Sequence, residues 1–278
     1  MSWWAIDVRT PAERRDVLGA WLVARTGHAV EEREDGTLVA FAPDEEAAEV
    51  LVAEIGREVD PRVETRSHPV ESIDWSNRWR EGLGPRRIEQ LTIIPSWLPE
   101  ASEPDPLTIV LDPETAFGSG EHGSTRAALT LLARLLRRGD RVLDLGSGSG
   151  ILSIAAIKLG AAGAIGIDID PEANEVAARN AARNGVADRV EFLEGDAAAL
   201  APLAGPVDLL LSNILRSVNT ALLPVTTVAL RPRGIAIFSG MEHPEAEEFR
   251  RNLGDAGFTL IQEALDAGWW GVAAERPR

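Results

Sequence analysis

Cysteine is absent from the 278 residues of the chain. Disulfide bonds, thiolate metal sites and cysteine nucleophiles are therefore excluded. Histidine is scarce, and its four positions, which are His28, His68, His122 and His243, show no paired ligand spacing. A structural zinc site is accordingly not expected, and no other metal site is indicated.

The chain also lacks an apolar run long enough to cross a bilayer. Its longest apolar stretch, residues 151–167, is interrupted by Lys158 and by glycines, so it divides into a helix and a strand. The first residues carry Asp7 and Arg9 and do not combine a basic start with a long apolar segment. We therefore expect a cytoplasmic protein without a membrane partner.

Basic residues are in the minority, with 28 Lys and Arg against 44 Asp and Glu and a formal net charge of −16. This balance argues against direct nucleic-acid binding and favours a basic partner. Residues 1–65 hold 15 acidic and 7 basic side chains, and this net of −8 is half of the excess. The acidic region is either a solvated face or a docking surface.

The most informative segment is a glycine-rich turn that follows a short apolar strand pattern. Residues 144–150 read Asp-Leu-Gly-Ser-Gly-Ser-Gly, and an apolar helix pattern begins at Ile151. Glycines let the backbone turn sharply and approach a ligand, and the amides of the following helix point at that ligand. A dinucleotide fingerprint would need its third glycine at position 151. The D-x-G-x-G-x-G spacing resembles instead the S-adenosylmethionine (SAM) loop of Rossmann-like methyltransferases, so SAM is the expected cofactor.

From residue 107 onward, strand and helix patterns alternate, which predicts a largely parallel sheet covered on both faces. The strand candidates are 141–145, 163–168, 189–194, 207–212, 234–239, 258–264 and 269–274, with helices between the first six. The last two should form an antiparallel hairpin around residues 266–268. We predict an α/β fold, a seven-stranded Rossmann-like SAM-dependent methyltransferase domain over residues 107–278.

The first 67 residues form a unit of their own, with element patterns in the order βαββαβ. This order predicts a small ferredoxin-like α+β domain. A capping box at residues 10–13 should start its first helix, Asp35-Gly36 marks a hairpin, and a second helix should begin at about Asp44. 

Residues 68–106 are interpreted as a connector between the two domains. Four prolines interrupt any long element in its second half, at positions 95, 99, 104 and 106. Its tryptophans, Trp75, Trp79 and Trp97, are expected to pack the connector onto a neighbouring domain.

Four polar side chains are expected at the carboxyl-terminal rim of the sheet, where such folds bind ligands: Asp144, Asp168, Asp196 and Asn213. Asp168 lies at the end of the second strand, where an acidic residue holds the ribose hydroxyls. Asp196 either faces the adenine amine or caps the next helix. Asn213 either enters the site near the reacting methyl group or caps a helix that starts at residue 214.

Residues 112–125 read Asp-Pro-Glu-Thr-Ala-Phe-Gly-Ser-Gly-Glu-His-Gly-Ser-Thr, and two further segments read Gly-Ile-Asp-Ile-Asp-Pro at 166–171 and Ser-Asn-Ile-Leu at 212–215. Together with the glycine loop, they resemble the ribosomal protein methyltransferase family that modifies large-subunit protein eleven. The resemblance covers roughly residues 70–275.

The resemblance implies SAM contacts at Thr125, Gly146, Asp168 and Asn213, and a lid-like segment over residues 117–125. We also include Phe117, Gly148, Asp144 and Asp196 among the expected cofactor-binding residues. The segment departs from the family pattern, because Ser119, Gly123 and Ser124 stand where the family usually has threonine, proline and threonine. Loss of the proline is expected to loosen the lid.

The implied activity is SAM-dependent N-methylation of lysine side chains or the N-terminal amine of a basic ribosomal large-subunit protein, held by residues 1–67. Asn213 would be the catalytic residue that orients the amine, and either His122 or Glu121 could receive a proton. One alternative is transfer to another protein, a small amine or a nucleobase, although Asn-Ile-Leu-Arg at 213–216 lacks the Asn-Pro-Pro-aromatic motif of nucleobase enzymes. The other is a SAM-binding module without turnover.

Overall fold

The computed structural model describes residues 3–11, 14–26, 30–33, 35–59, 63–69, 84–102, 105–112, 117–118 and 120–277. The chain divides into two compact units, Met1–Glu81 and Gly82–Arg278. The division falls inside the segment 68–106 that the sequence indicates as a connector. Trp75 and Trp79 of that segment lie outside the described residues.

The first unit has the predicted ferredoxin-like order. Its elements are β1 (Trp4–Arg9), α1 (Arg15–Thr26), β2 (Glu31–Glu32), β3 (Leu38–Ala42), α2 (Glu45–Glu54) and β4 (Glu64–Pro69), and a π-helical turn, Ile55–Val59, extends α2. The strands form one antiparallel sheet in the order β2-β3-β1-β4. The two central strands are thus neighbours that are not consecutive in sequence, as the βαββαβ fold requires.

Local sequence signals account for the starts of two of these elements. The side chain of Asp44 accepts a hydrogen bond from the amide of Ala47 at 2.8 Å and caps α2. Gly36, with φ of 78°, makes the turn between β2 and β3 at the predicted hairpin. Of the predicted capping box at 10–13, Ala12 and Glu13 lie outside the described residues.

The second unit begins with a small sheet of its own. Strands β5 (Arg86–Ile88) and β6 (Leu91–Pro95) pair in antiparallel fashion, and β6 pairs in parallel with β7 (Thr108–Leu111). A short 3₁₀ turn, Pro99–Ser102, lies between β6 and β7. Part of the expected connector therefore contributes strands to the second unit.

The remaining elements build a seven-stranded sheet with helices between its parallel strands. In chain order they are α3 (Gly123–Leu135), β8 (Arg141–Leu145), α4 (Ile151–Lys158), β9 (Gly163–Asp168), α5 (Pro171–Arg183), β10 (Val190–Glu194), α6 (Ala197–Ala204), β11 (Val207–Asn213), α7 (Arg216–Ala229), β12 (Leu230–Glu242), α8 (Ala246–Asp255), β13 (Thr259–Asp266) and β14 (Trp269–Glu275). The strand order is β10-β9-β8-β11-β12-β14-β13, and β14 runs antiparallel to both of its neighbours. The predicted Rossmann-like sheet and its terminal hairpin are both confirmed.

One strand starts earlier than the sequence pattern predicts. Strand β12 begins at Leu230, which is buried and pairs with Val207, whereas the pattern indicates a start at residue 234. The pairing with β11 is irregular between Val207 and Leu209, where Pro232 lies on the β12 side. Proline has no amide hydrogen to donate to a ladder, so it weakens the strand signal there.

Helices cover both faces of the large sheet and bury one apolar core on each. The core on one face includes Leu129 of α3, Ile154 of α4 and Ala181 of α5. The core on the other includes Leu222 of α7 and Phe249 of α8. Because both faces are closed, the open edge at the carboxyl ends of β8, β9 and β11 is the place where a ligand can reach the backbone. Within the described part of the chain, no helix combines the length and apolar character needed to cross a membrane.

Candidate active site

The glycine turn between β8 and α4 is held tightly between two neighbouring segments. Gly146 and Gly148 have φ of 69° and 53°. A Cβ atom on Gly148 would lie 2.5 Å from the carbonyl oxygen of Phe117, and one on Gly146 would lie 2.5 Å from Cγ2 of Ile214. Both distances are far inside van der Waals contact, so the turn needs glycine for its packing as well as for its backbone angles.

A cleft of about 580 Å³ opens beside this turn at the carboxyl ends of the strands. Its walls include six of the expected site residues: Phe117, Gly146, Gly148, Asp168, Asp196 and Asn213. They also include residues that the sequence did not indicate: Ile167, Ile169, Gly195, Ala197, Ile214, Leu215, Val218, Leu222, Gly240 and Trp269. The remaining two expected residues do not line this cleft: Thr125 is bonded to Asn213 of its wall, and Asp144 is bonded to Ser153.

Asp168 lies at the tip of β9 and faces the glycine turn. One carboxylate oxygen accepts a hydrogen bond from the amide of Gly148 at 2.8 Å, and the other accepts one from the amide of Asp170 at 3.0 Å. Each oxygen has further lone pairs, and the side chain is only half-buried at the cleft wall. The carboxylate can therefore accept ribose hydroxyls as well, and this contact stays a prediction.

Asn213 ends β11 with its amide group in the cleft wall. Its Nδ2 donates to Oγ1 of Thr125 at 3.2 Å, and both side chains are buried. Its Oδ1 has no hydrogen-bond partner within the described part of the chain. A buried acceptor left unpaired costs about 1–3 kcal/mol, so the geometry suits an incoming donor at this oxygen.

The interpretation of Asn213 as a helix cap is wrong. Helix α7 begins at Arg216, its N-cap is Leu215, and no side chain caps it. Asn213 bonds instead to Thr125 in the first turn of α3, so its side chain joins two elements that are 88 residues apart.

Asp144 lies behind the glycine turn and is only 1% exposed. Its Oδ2 accepts from the amide and the hydroxyl of Ser153, at 3.1 and 2.7 Å, and so holds the first turn of α4. Burial raises the pKa of this carboxyl group to about 7. Its contact with the cofactor remains a prediction.

Asp196 occupies the edge of the cleft, where it is exposed. One of its oxygens accepts from the amide of Ala198 at 2.8 Å and caps α6, as one of the two interpretations of the sequence had it. This capping bond uses one carboxylate oxygen, and the side chain still lines the cleft. The predicted contact with an adenine amine is compatible with this position and untested by it.

Three rings, those of Phe117, His122 and Trp269, form an aromatic wall of the cleft. The rings of His122 and Trp269 have centroids 4.1 Å apart, and the ring of Phe117 meets that of His122 edge-on at 5.3 Å. Nδ1 of His122 lies 2.7 Å from the hydroxyl oxygen of Ser124. Burial and, to a lesser extent, the positive charge of Arg126 lower the pKa of His122. The imidazole is therefore neutral at physiological pH.

Glu121, the other candidate for a proton, is engaged elsewhere. Its carboxylate forms a two-pronged ion pair with the guanidinium of Arg86 on β5. Such a pair holds the carboxylate at β5, and Glu121 does not line the cleft. Neutral His122 is the better placed of the two candidates.

Comparisons with known proteins agree with this geometry. The family model described as ribosomal protein L11 methyltransferase (PrmA) matches residues 11–277. The chain belongs to the ribosomal protein L11 methyltransferase family. The L11 methyltransferase of Thermus thermophilus is 43% identical over 196 residues, which are 70% of this chain and 75% of that protein. That of Geobacter metallireducens is 34% identical over 96% of each chain.

A solved structure extends the likeness to three dimensions. The ribosomal protein L11 methylase from Lactobacillus delbrueckii subsp. bulgaricus aligns with a TM-score of 0.64 and 32% identity, over 70% of this chain and all of that one. This chain is thus a SAM-dependent methyltransferase of the L11 methyltransferase family. The cleft fits SAM, because a glycine turn without side chains and the carboxylate of Asp168, which can accept hydroxyl groups, line it together.

Proposed function

We propose that the protein methylates lysine side chains, the N-terminal amine, or both, of ribosomal protein L11. The observation that carries the proposal is the buried Oδ1 of Asn213, which has no hydrogen-bond partner among the described residues and belongs to a side chain of the cleft wall. An amine nitrogen is a donor of the kind that this acceptor lacks. The family to which the chain belongs is named for methylation of this protein.

The chemistry asks the protein for alignment more than for reactive groups, because SAM supplies an activated methyl group when bound. In this proposal Gly146, Gly148 and Asp168 hold the nucleoside side of the cleft. Asn213 accepts a hydrogen from the amine and so turns the nitrogen lone pair toward the methyl carbon.

The amine must lose its proton before it can attack. The apolar lining of the cleft disfavours an ammonium ion and lowers the pKa of an entering lysine. Neutral His122, in the wall of the same cleft, receives the released proton in the proposed mechanism. Trp269 and Phe117 flank the alkyl stem of the acceptor and keep water away from it.

The acidic character of the first unit supports a basic substrate. The net of −8 over residues 1–65 favours encounter with a basic ribosomal protein, and we propose residues 1–67 as its recognition domain. Because its proposed substrate is a ribosomal protein, we propose that the protein acts in the cytoplasm.

Transfer of labelled methyl groups from SAM to purified L11 tests the proposal. Label on its lysine or terminal amines is the expected result, and mass spectrometry of peptides identifies the sites. Binding of SAM without label on L11 would remove L11 as substrate. In that case a panel of small amines and other basic proteins separates an enzyme with another acceptor from a binding module without turnover.

A further inference from the structure

Arg126 connects three segments through a single guanidinium group. It lies in the first turns of α3, and its Nε donates to Oδ2 of Asp266 at 3.0 Å. One of its terminal nitrogens donates to the other oxygen of Asp266, and the second donates to the carbonyl oxygen of Glu121. The side chain is only 15% exposed, so these bonds are largely shielded from solvent. A two-pronged arginine–carboxylate pair of this kind fixes orientation as well as distance.

The two residues held by Arg126 adjoin the aromatic wall. Glu121 immediately precedes His122, and Asp266 ends β13 at the turn that leads to Trp269. The rings of His122 and Trp269 are themselves in contact. Arg126 therefore holds the residue before His122 through a backbone carbonyl, and the residue three positions before Trp269 through a carboxylate.

Gly123 allows the loop and the hairpin to approach this closely. A Cβ atom at position 123 would lie 2.5 Å from the carbonyl oxygen of Asp266 and 2.7 Å from Cδ1 of Trp269. The family pattern has proline at position 123, and from the sequence we expect its replacement by glycine to loosen the loop. In the folded chain, glycine at this position lets the hairpin pack directly on the start of α3.

The charges around Arg126 are consistent with a fixed cluster. The hydrogen bonds with Asp266 raise the pKa of Arg126 and lower that of the Asp266 carboxyl group, so both stay ionised. Arg86, paired with Glu121, holds the same loop from the side of β5. The cluster thus contains two basic and two acidic groups, and after burial, Arg126 is the second cause that lowers the pKa of His122.

We propose that Arg126 is a positioning residue for the methyl acceptor, because it locks His122 and Trp269 into a single wall. This inference rests on the proposed function, which assigns the aromatic wall to the acceptor amine. Arg126 does not line the cleft. Its loss should therefore impair alignment of the acceptor while leaving the nucleoside side of the cleft intact.

Kinetics of Arg126→Gln with L11 as acceptor provide the first test. We expect kcat to fall at least tenfold, whereas the Kd of S-adenosylhomocysteine stays within twofold of the parent value. Arg134→Gln is the matched control, because Arg134 is on the same helix and pairs with exposed Glu89 far from the wall. Both quantities should stay within twofold in that control.

Arg126→Lys separates charge from geometry. Lysine keeps the positive charge but cannot bond to Asp266 with two parallel prongs and reach Glu121 at once. We expect it to recover less than a third of the parental kcat. Full recovery by lysine, or a kcat of Arg126→Gln within twofold of the parent, would overturn the inference. A loss of S-adenosylhomocysteine affinity equal to the loss of kcat would overturn it as well.

Fluorine NMR of protein labelled with 5-fluorotryptophan tests the positioning without any substrate. The Trp269 resonance, assigned with Trp269→Phe, should shift or broaden in Arg126→Gln and remain unchanged in Arg134→Gln. Asp266→Asn should reproduce the effect and serves if the arginine variant fails to fold. If the parent protein does not label L11 but the Trp269 resonance changes in the variants, the result contradicts the proposed function and leaves the role of Arg126 standing. A parent that labels L11 while the resonance stays unchanged in both variants contradicts the role of Arg126.

Discussion

Replacing Asp168 by asparagine is expected to weaken SAM binding at least tenfold. The two carboxylate oxygens already accept the amides of Gly148 and Asp170, at 2.8 and 3.0 Å, and in our proposal also accept the ribose hydroxyls. Asparagine keeps only one acceptor oxygen, so its NH₂ group must face a backbone N–H or a ribose hydroxyl in place of the other. A hydrogen bond to a charged group contributes about 1.5–3 kcal/mol. Loss of one corresponds to an affinity roughly 10- to 150-fold weaker.

Asp170→Asn is the control for this measurement. Asp170 is exposed and caps α5 by accepting from the amide of Glu172 at 2.9 Å, a role that asparagine fills equally well. The substitution removes one negative charge, as Asp168→Asn does, at a position two residues away that does not line the cleft. Calorimetric titration with S-adenosylhomocysteine should show the loss in Asp168→Asn only. Equal affinities in the parent and in Asp168→Asn would refute the assignment of Asp168 to the ribose, and equal losses in both variants would reduce it to an effect of net charge.

Asn213→Ala should lower kcat about tenfold or more, because truncation removes the acceptor that orients the amine; steady-state kinetics that stay within twofold of the parent would contradict this role. Asp144→Asn should alter the pH dependence of stability. Since the pKa of Asp144 is raised to about 7 in the folded chain, its favourable contribution is complete below the unfolded-state pKa and is lost as pH rises through about 7. Denaturation of the apo-protein should therefore show the free energy of unfolding of Asp144→Asn rising relative to that of the parent between pH 5 and pH 8. A difference in this free energy that stays constant with pH would contradict a raised pKa for the buried carboxyl group.

The cofactor side of the site could be predicted because its residues belong to short segments with fixed geometry. Residues 144–150 combine a strand end, a turn and a helix start, and Asp168 follows at the end of the adjacent strand. In a parallel sheet all carboxyl ends meet at one edge, so sequence order alone brings Asp168 and Asn213 to the same cleft. No long-range contact has to be known for that inference.

Orientation within the strands was harder to predict. The last four residues of β8 are all buried, because helices cover both faces of the sheet. Such a strand lacks the alternation that would tell which face a side chain takes. Asp144 was accordingly expected at the cofactor, and the structure finds it bonded to Ser153 behind the turn. Asn213 was open to a second interpretation because asparagine also suits a helix cap, and the start of α7 at Arg216 together with the bond to Thr125 decided against the cap.

The acceptor side depends on contacts that no local pattern encodes. Trp269 comes from an antiparallel strand near the end of the chain, and Arg126 pairs with Asp266 across 140 residues. The hairpin was predicted, but nothing in its sequence shows that its turn packs against the start of α3. Because Gly123 and Trp269 must fit one another to within a few tenths of an ångström, substitutions at one position constrain the other. Relatives that share the glycine turn can therefore hold the cofactor alike while differing in the wall that we assign to the amine. For this chain, we expect the choice of acceptor to depend on the packing of Gly123, Arg126 and Trp269 more than on the glycine turn.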